Sequence, residues 1–139
     1  MRRLQGFVLI VVILLSIAGG ALACASSQPP AATIDIDAVR EYADTRTETI
    51  LQGLSEHDIE KYTQYFTEEA KTATTQELFN ITVKQLESLL GIYVSKDFWY
   101  IEQQEGYIVV RYLTSYTRGQ VVARMVFDKD HLIAGHWFE

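Results

Sequence analysis

The sequence predicts an α+β domain: three N-terminal helices packed on a four-stranded antiparallel meander sheet. Two observations carry this. Up to Gly91 the apolar residues recur at helical spacing. From Tyr93 onward aromatic and β-branched residues dominate, and turn residues recur at short intervals. A third observation sets the domain's start: residues 1–33 hold a leader and a spacer that cannot contribute to a core.

The leader occupies residues 1–23. Arg2 and Arg3 precede an unbroken apolar run, Phe7 to Ile17, and then the small residues Ala18-Gly19-Gly20-Ala21-Leu22-Ala23. Basic residues favour the cytoplasmic side. The apolar run has the length of a signal h-region and is short for a membrane span. Cys24, the only cysteine, follows directly. Gly20-Ala21-Leu22-Ala23-Cys24 resembles a lipobox, with leucine two before the cysteine where three is the commoner spacing. This identifies a lipoprotein signal peptide with lipidation at Cys24. Simple cleavage leaving a free thiol, and an uncleaved anchor over Phe7–Leu22, also fit the residues. Lipidation places the protein at the cell membrane, facing outside the cytoplasm, held by acyl chains.

Residues 24–33 are the lipidated cysteine and its tether. Ala25 to Thr33 carries no charge, no large apolar residue and both prolines. An extended spacer of this kind spans roughly 25 Å.

Residues 34–139 form the domain. With Cys24 consumed by the anchor, no disulfide can hold the fold, and apolar packing must do so. Formal charge is −6, and loss of Arg2 and Arg3 leaves 10 basic against 18 acidic residues, or −8. That balance argues against a nucleic-acid footprint and against attraction to anionic lipid.

Asp35 or Asp37 caps a first helix reaching about Leu54, with Val39, Tyr42, Ala43, Ile50 and Leu54 on one stripe. Ser55 caps a short second helix with Ile59, Tyr62 and Phe66 inward. Thr74-Thr75-Gln76-Glu77 fits a capping box opening a third helix, whose broad apolar face runs from Leu78 to Leu90. Gly91 ends it.

Four strands follow, at about 94–103, 107–116, 120–128 and 132–138. Two-residue turns at Glu105-Gly106, Arg118-Gly119 and Lys129-Asp130 set Ile101 opposite Val110, Tyr112 opposite Met125, and Met125 opposite Ala134. The helix-facing side then carries Trp99, Val110, Tyr112, Tyr116, Met125, Phe127, Leu132, Ala134, His136 and Phe138. The other side carries Phe98, Tyr100, Val109, Arg111, Leu113, Arg124, Val126, Ile133 and Trp137. A three-residue last turn would instead send Ile133 and Trp137 inward and His136 outward. The second face is too apolar for water alone, and a second copy of the chain is the simplest cover. The expected dimer face is Tyr100, Arg111, Leu113, Arg124 and Trp137.

Phe66-Thr67-Glu68-Glu69, Leu86 to Gly91, and Val126-Phe127-Asp128-Lys129-Asp130-His131-Leu132-Ile133-Ala134-Gly135 together carry a resemblance. The chain from Val39 to Phe138 resembles the domain-of-unknown-function family numbered 3887. That family is similar to nuclear transport factor 2-like domains, which include polyketide cyclases and ketosteroid isomerases. The resemblance implies a bent sheet against a long helix, a conical pocket between them, and frequent dimerisation through the open face. It carries no catalytic residues over.

The expected ligand pocket is Trp99, Tyr112, Tyr116, Met125 and His136. The catalytic candidates on the helix-facing side are His136, Tyr112, Tyr116 and Trp99, with His136 and Tyr112 foremost because a histidine near a tyrosine can do acid–base work. On this register no carboxylate from strands two to four points inward, which disfavours an isomerase-type base. A core or rim histidine bonded to backbone or tyrosine is the plainer reading of His136. Arg111 and Arg124 could take an anion, or be solvated or paired with carboxylates. Asp128 to Glu139 has the length of a calcium loop, but Leu132 and Ile133 stand where an oxygen ligand and a glycine are needed. No zinc spacing, phosphate loop or dinucleotide fingerprint occurs, and neither metal nor cofactor is expected. Asn80-Ile81-Thr82 is a glycosylation sequon inside a predicted helix. The expected function is a lipid-anchored module binding a small apolar ligand or a protein partner. The alternative is a cyclase- or isomerase-type enzyme acting on a small carbonyl compound.

Overall fold

Asp35 opens the domain by accepting a bond from the Ala38 N–H at 3.1 Å, and the long helix α1 follows over Ile36–Ser55. The computed structural model describes residues 33–139. The leader, Cys24 and the tether up to Ala32 lie outside the described residues. Three further helices come next: α2 (Ile59–Thr63), α3 (Glu68–Ala73) and α4 (Gln76–Leu89). The sheet then forms from β1 (Tyr93–Gln104), β2 (Tyr107–Tyr116), β3 (Gly119–Phe127) and β4 (Ile133–Phe138), antiparallel and in sequence order. The α+β class and the four-stranded meander are as the sequence predicts, and the layout is consistent with a nuclear transport factor 2-like cone.

Four helices stand where three are predicted. The added one, α3, is six residues long, buries no residue, and so leaves no apolar stripe to read. Three caps also differ from expectation or sharpen it. Asp58, not Ser55, caps α2; Thr67 caps α3; Thr75 caps α4 by accepting from the Leu78 N–H at 3.2 Å. The cap is therefore displaced by one residue from Thr74, and with Leu78 three residues after it the expected capping box does not form.

Two glycines are placed by geometry. Gly53 lets α1 and α2 touch, since a Cβ there would lie 2.5 Å from the Tyr62 backbone nitrogen. Gly91 ends α4 at φ 84°, with its N–H directed at the Leu86 and Glu87 carbonyls.

The core lies between α1 and the sheet. Ala43, Ile50 and Leu51 of α1 and Val110, Tyr112, Met125, Phe127 and Ile133 of the strands are all fully buried, joined by Phe66, Phe79 and Val83. Burial of this kind contributes about 25 cal/mol per Å2 of apolar surface.

The first turn is as expected: Glu105 and Gly106 both have positive φ and join Gln104 to Tyr107, as a tight hairpin of this twist requires. The second turn is Thr117-Arg118, because Tyr116 pairs with Gly119. Tyr112 therefore opposes Ala123, and Met125 opposes Val110. This slip of two residues in pairing leaves every face unchanged.

Two bulges do change faces. A shift between Phe98 and Tyr100 turns Phe98 onto the core and leaves Trp99 60% exposed, the reverse of the expected placement. A second shift lies between Val126 and Phe127, where Phe127 pairs with Ile133 while Met125 pairs with His136. Ile133 is thereby fully buried, and His136 still faces the helix side. Neither length of last turn anticipates both. The turn before β4 is held by the Asp128 carboxylate, which accepts from Asp130 and Leu132 N–H at 2.9 and 2.8 Å.

Candidate functional site

The five residues expected to line one pocket do not converge. Tyr112 and Met125 are fully buried in the core, where α1 fills the space beneath the sheet. Tyr116 packs edge-on to Tyr93, with ring centroids 5.7 Å apart. Trp99 lies on the other side of the sheet beside Tyr100 and Arg111. Trp99 there borders a depression of about 340 Å3 on the outer face, and His136 lines a separate cleft on the helix side.

That cleft has a volume of about 370 Å3 and runs along β4, bounded by α2, α3 and the start of α4. Phe66, Ala70, Leu78 and Phe79 form its helical wall, and Gly135 to Phe138 form its strand wall. Every lining residue is uncharged. The small side chains of Ala70 and Ala73 keep it open. Its size is at the lower end for ligand sites, about 300–1,000 Å3.

At its floor the Tyr62 hydroxyl and His136 Nδ1 are 3.3 Å apart, and the Tyr62 ring packs on Phe66 and Phe79. His136 is half-buried, and its Nε2 is covered without a hydrogen-bond partner. Burial pushes the imidazole down to about 4 and the Tyr62 phenol up to about 12. Both groups are thus neutral near pH 7. Whichever ring nitrogen carries the proton, Nε2 retains one hydrogen bond to offer.

Carboxylates do meet tyrosines, but at the seam between α1 and the sheet. Tyr112 donates to Asp44 Oδ1 at 2.8 Å, and Tyr93 donates to Glu48 Oε2 at 2.8 Å. Burial, then these bonds, raise both phenols. Arg40 pairs with Asp44 at 3.0 Å, and Lys96 lies 3.9 Å from Glu48. Sequence reasoning missed Asp44 and Glu48 because it searched the strands for acids. The signal was their four-residue spacing after Arg40, which puts all three along one side of α1. The Tyr112 hydroxyl is occupied by Asp44 within the core, away from the cleft.

The outer sheet face carries a network of its own. Arg111 binds Glu102 at 2.7 Å and Glu139 at 3.2 Å; Arg124 lies 3.6 Å from Glu139. The Arg111 and Arg124 guanidiniums sit over the rings of Tyr100 and Trp137, at 5.9 and 5.2 Å. Leu113 is half-buried on the same face, and Trp137 is 51% exposed. The two arginines are thus paired within the chain.

Among the described residues no group of three or more histidine, cysteine or acidic side chains is placed to hold a metal ion. No helix among them is long and apolar enough to cross a membrane.

The model of a family described as protein of unknown function (DUF3887) matches residues 47–135, more than half of the chain. No curated protein and no solved structure matches.

Proposed function

This chain belongs to the DUF3887 family of proteins of unknown function, and on that premise we propose that it is a lipid-anchored binding module facing outside the cytoplasm. Its cleft beside β4 takes an uncharged, apolar ligand. One observation carries the binding reading: a cleft of about 370 Å3 without a charged residue is walled by Phe66, Ala70, Leu78 and Phe79. A ligand that fills the cleft buries its own apolar surface against those walls, which contributes about 25 cal/mol per Å2.

The likeness to nuclear transport factor 2-like domains implies a pocket between the sheet and the long helix, which α1 fills here, so the cleft beside β4 rests on its own lining. The same likeness supports a second copy of the chain covering the outer sheet face. The anchor rests on Arg2, Arg3, the apolar run and Cys24. An enzyme of cyclase or isomerase type is disfavoured. Tyr62 and His136 could pass a proton, but no carboxylate lines the cleft to act as the base.

The test uses the full chain in detergent and the neutral fluorescent probe N-phenyl-1-naphthylamine. Saturable uptake by the native chain above that of protein-free micelles at the same detergent concentration, lost in Ala70→Trp with unfolding temperature retained, is the expected result. Equal uptake by both proteins overturns the cleft reading. The anchor is tested by the mass of the mature protein: native Cys24 carries acyl chains and Cys24→Ser does not. An unmodified native Cys24 refutes it.

A further inference from the structure

We infer that the ligand of this cleft is an extended peptide segment, which adds to the free edge of β4 as a fifth strand. The inference rests on the apolar-cleft reading above and specifies its occupant.

β4 is an edge strand. Glu139 and Val122 exchange both backbone bonds, at 2.9 and 3.3 Å. In an antiparallel ladder every second residue pairs in this way. The register runs unbroken from Ala123–Phe138 to Val126–Gly135, so Trp137 and Gly135 also direct their backbone groups at β3. The N–H and C=O groups of His136 and Phe138 therefore point away from the sheet, along the cleft.

This edge already accepts a strand. Phe66 forms a parallel bridge to Ile133, in which Ile133 N–H donates to the Tyr65 carbonyl at 2.8 Å and Thr67 N–H donates to the Ile133 carbonyl at 2.9 Å. At Thr67 the chain turns into α3 and leaves the edge. The cleft begins where that bridge stops, so an added peptide continues an interface the chain has started itself.

Nothing on β4 resists addition. Edge strands are commonly guarded by lysine, proline or an inward charge. Ile133 to Phe138 contains none of these. The cleft's lining is uncharged although the chain carries −6, which selects an uncharged segment over a basic or acidic one. Alternate side chains of such a strand would enter the pocket formed by Phe66, Ala70, Leu78 and Phe79, and the others would lie over Trp137. Backbone bonds then give affinity and the pocket gives side-chain preference.

The full chain in detergent is tested with acetyl-Thr-Val-Thr-Val-Thr-Val-amide and two versions of it, N-methylated on one or the other alternate set of amides. The parent peptide is expected to displace N-phenyl-1-naphthylamine and to slow amide exchange at His136 and Phe138 at least tenfold. At least one methylated version is expected to bind at least tenfold more weakly, because a strand points alternate N–H groups at its neighbour. Probe uptake with no displacement by peptide, displacement without added protection, or equal binding of all three peptides overturns the inference and leaves the apolar-cleft reading standing. Absence of both probe uptake and peptide binding overturns both.

Discussion

The Tyr112 phenol donates to Asp44 Oδ1 at 2.8 Å, tying the middle of β2 to the middle of α1. The other oxygen of the same carboxylate accepts from Arg40 at 3.0 Å. One turn further along the helix, Glu48 accepts from Tyr93 on β1 at 2.8 Å. Two phenol–carboxylate bonds therefore fix the rotation of α1 over a sheet whose remaining contacts with it are largely apolar and nondirectional.

Tyr112→Phe removes the first of these bonds without changing packing volume. A hydrogen bond to a charged group contributes about 1.5–3 kcal/mol. Asp44 is half-buried and keeps Arg40, so a loss near the lower end, about 1.5 kcal/mol, is expected. Tyr93→Phe should cost less, because Tyr93 is less deeply buried than Tyr112. Urea unfolding midpoints of the two variants check this order. Unchanged stability in Tyr112→Phe would show that the bond holds no net energy.

His136 makes stability depend on pH in a defined window. Its folded value, about 4, lies below the ordinary 6.5, so the unfolded chain binds the proton first as pH falls. This group costs nothing above about pH 6.5. Stability falls between about 6.5 and 4, by at most about 3 kcal/mol and by less where cleft water reaches the ring. His136→Gln should flatten that limb of the pH–stability curve. An imidazole resonance titrating near 6.5 in the folded protein contradicts the expectation.

Most of the fold is written in local patterns. The period change after Gly91, the Glu105-Gly106 hairpin and the alternation through β2 and β3 are each set by neighbouring residues, and each is legible. The pocket is not. Aromatic residues alternating on the strands suggest space beneath the middle of the sheet, but Ala43, Ile50 and Leu51 of α1 fill it. The cleft opens at β4 instead, because a six-residue helix without an apolar stripe turns the chain away there. Phe98 and Trp99 exchange faces through a bulge, and two adjacent aromatics give no sign of which one the core takes. Likewise, the bulge opposite Phe127 places both Ile133 and His136 inward, which no uniform register allows.

The outer face makes a prediction about assembly. Arg111, Arg124, Glu102 and Glu139 balance in charge, so two copies can meet there despite a strongly acidic chain. Trp137 and Tyr100, about half exposed, supply apolar area. Light scattering should give a dimer for the full chain in which Trp137→Ser or Arg111→Glu weakens association at least tenfold. A monomeric native chain at high concentration refutes the proposed pairing.

Gly91 and Gly106 separate two costs that usually coincide. Both have positive φ, 84° and 87°, where a side chain is strained. Around Gly106 there is open space, so Gly106→Ala should cost about 1 kcal/mol from backbone strain alone. At Gly91 an added Cβ would lie 2.1 Å from Thr117 Oγ1. That hydroxyl accepts from the Ile92 N–H at 3.1 Å, and the Thr117 N–H donates back to the Ile92 carbonyl at 2.9 Å. The corner joining α4 to β1 is thus locked against the β2–β3 turn, and Thr117 cannot retreat without breaking it. Gly91→Ala should therefore cost about 1–3 kcal/mol more than Gly106→Ala, since overpacking adds to strain. The double variant Gly91→Ala with Thr117→Gly should recover part of that excess. Equal denaturation midpoints for the two single variants would show that the corner yields freely and that α4 is not held by it.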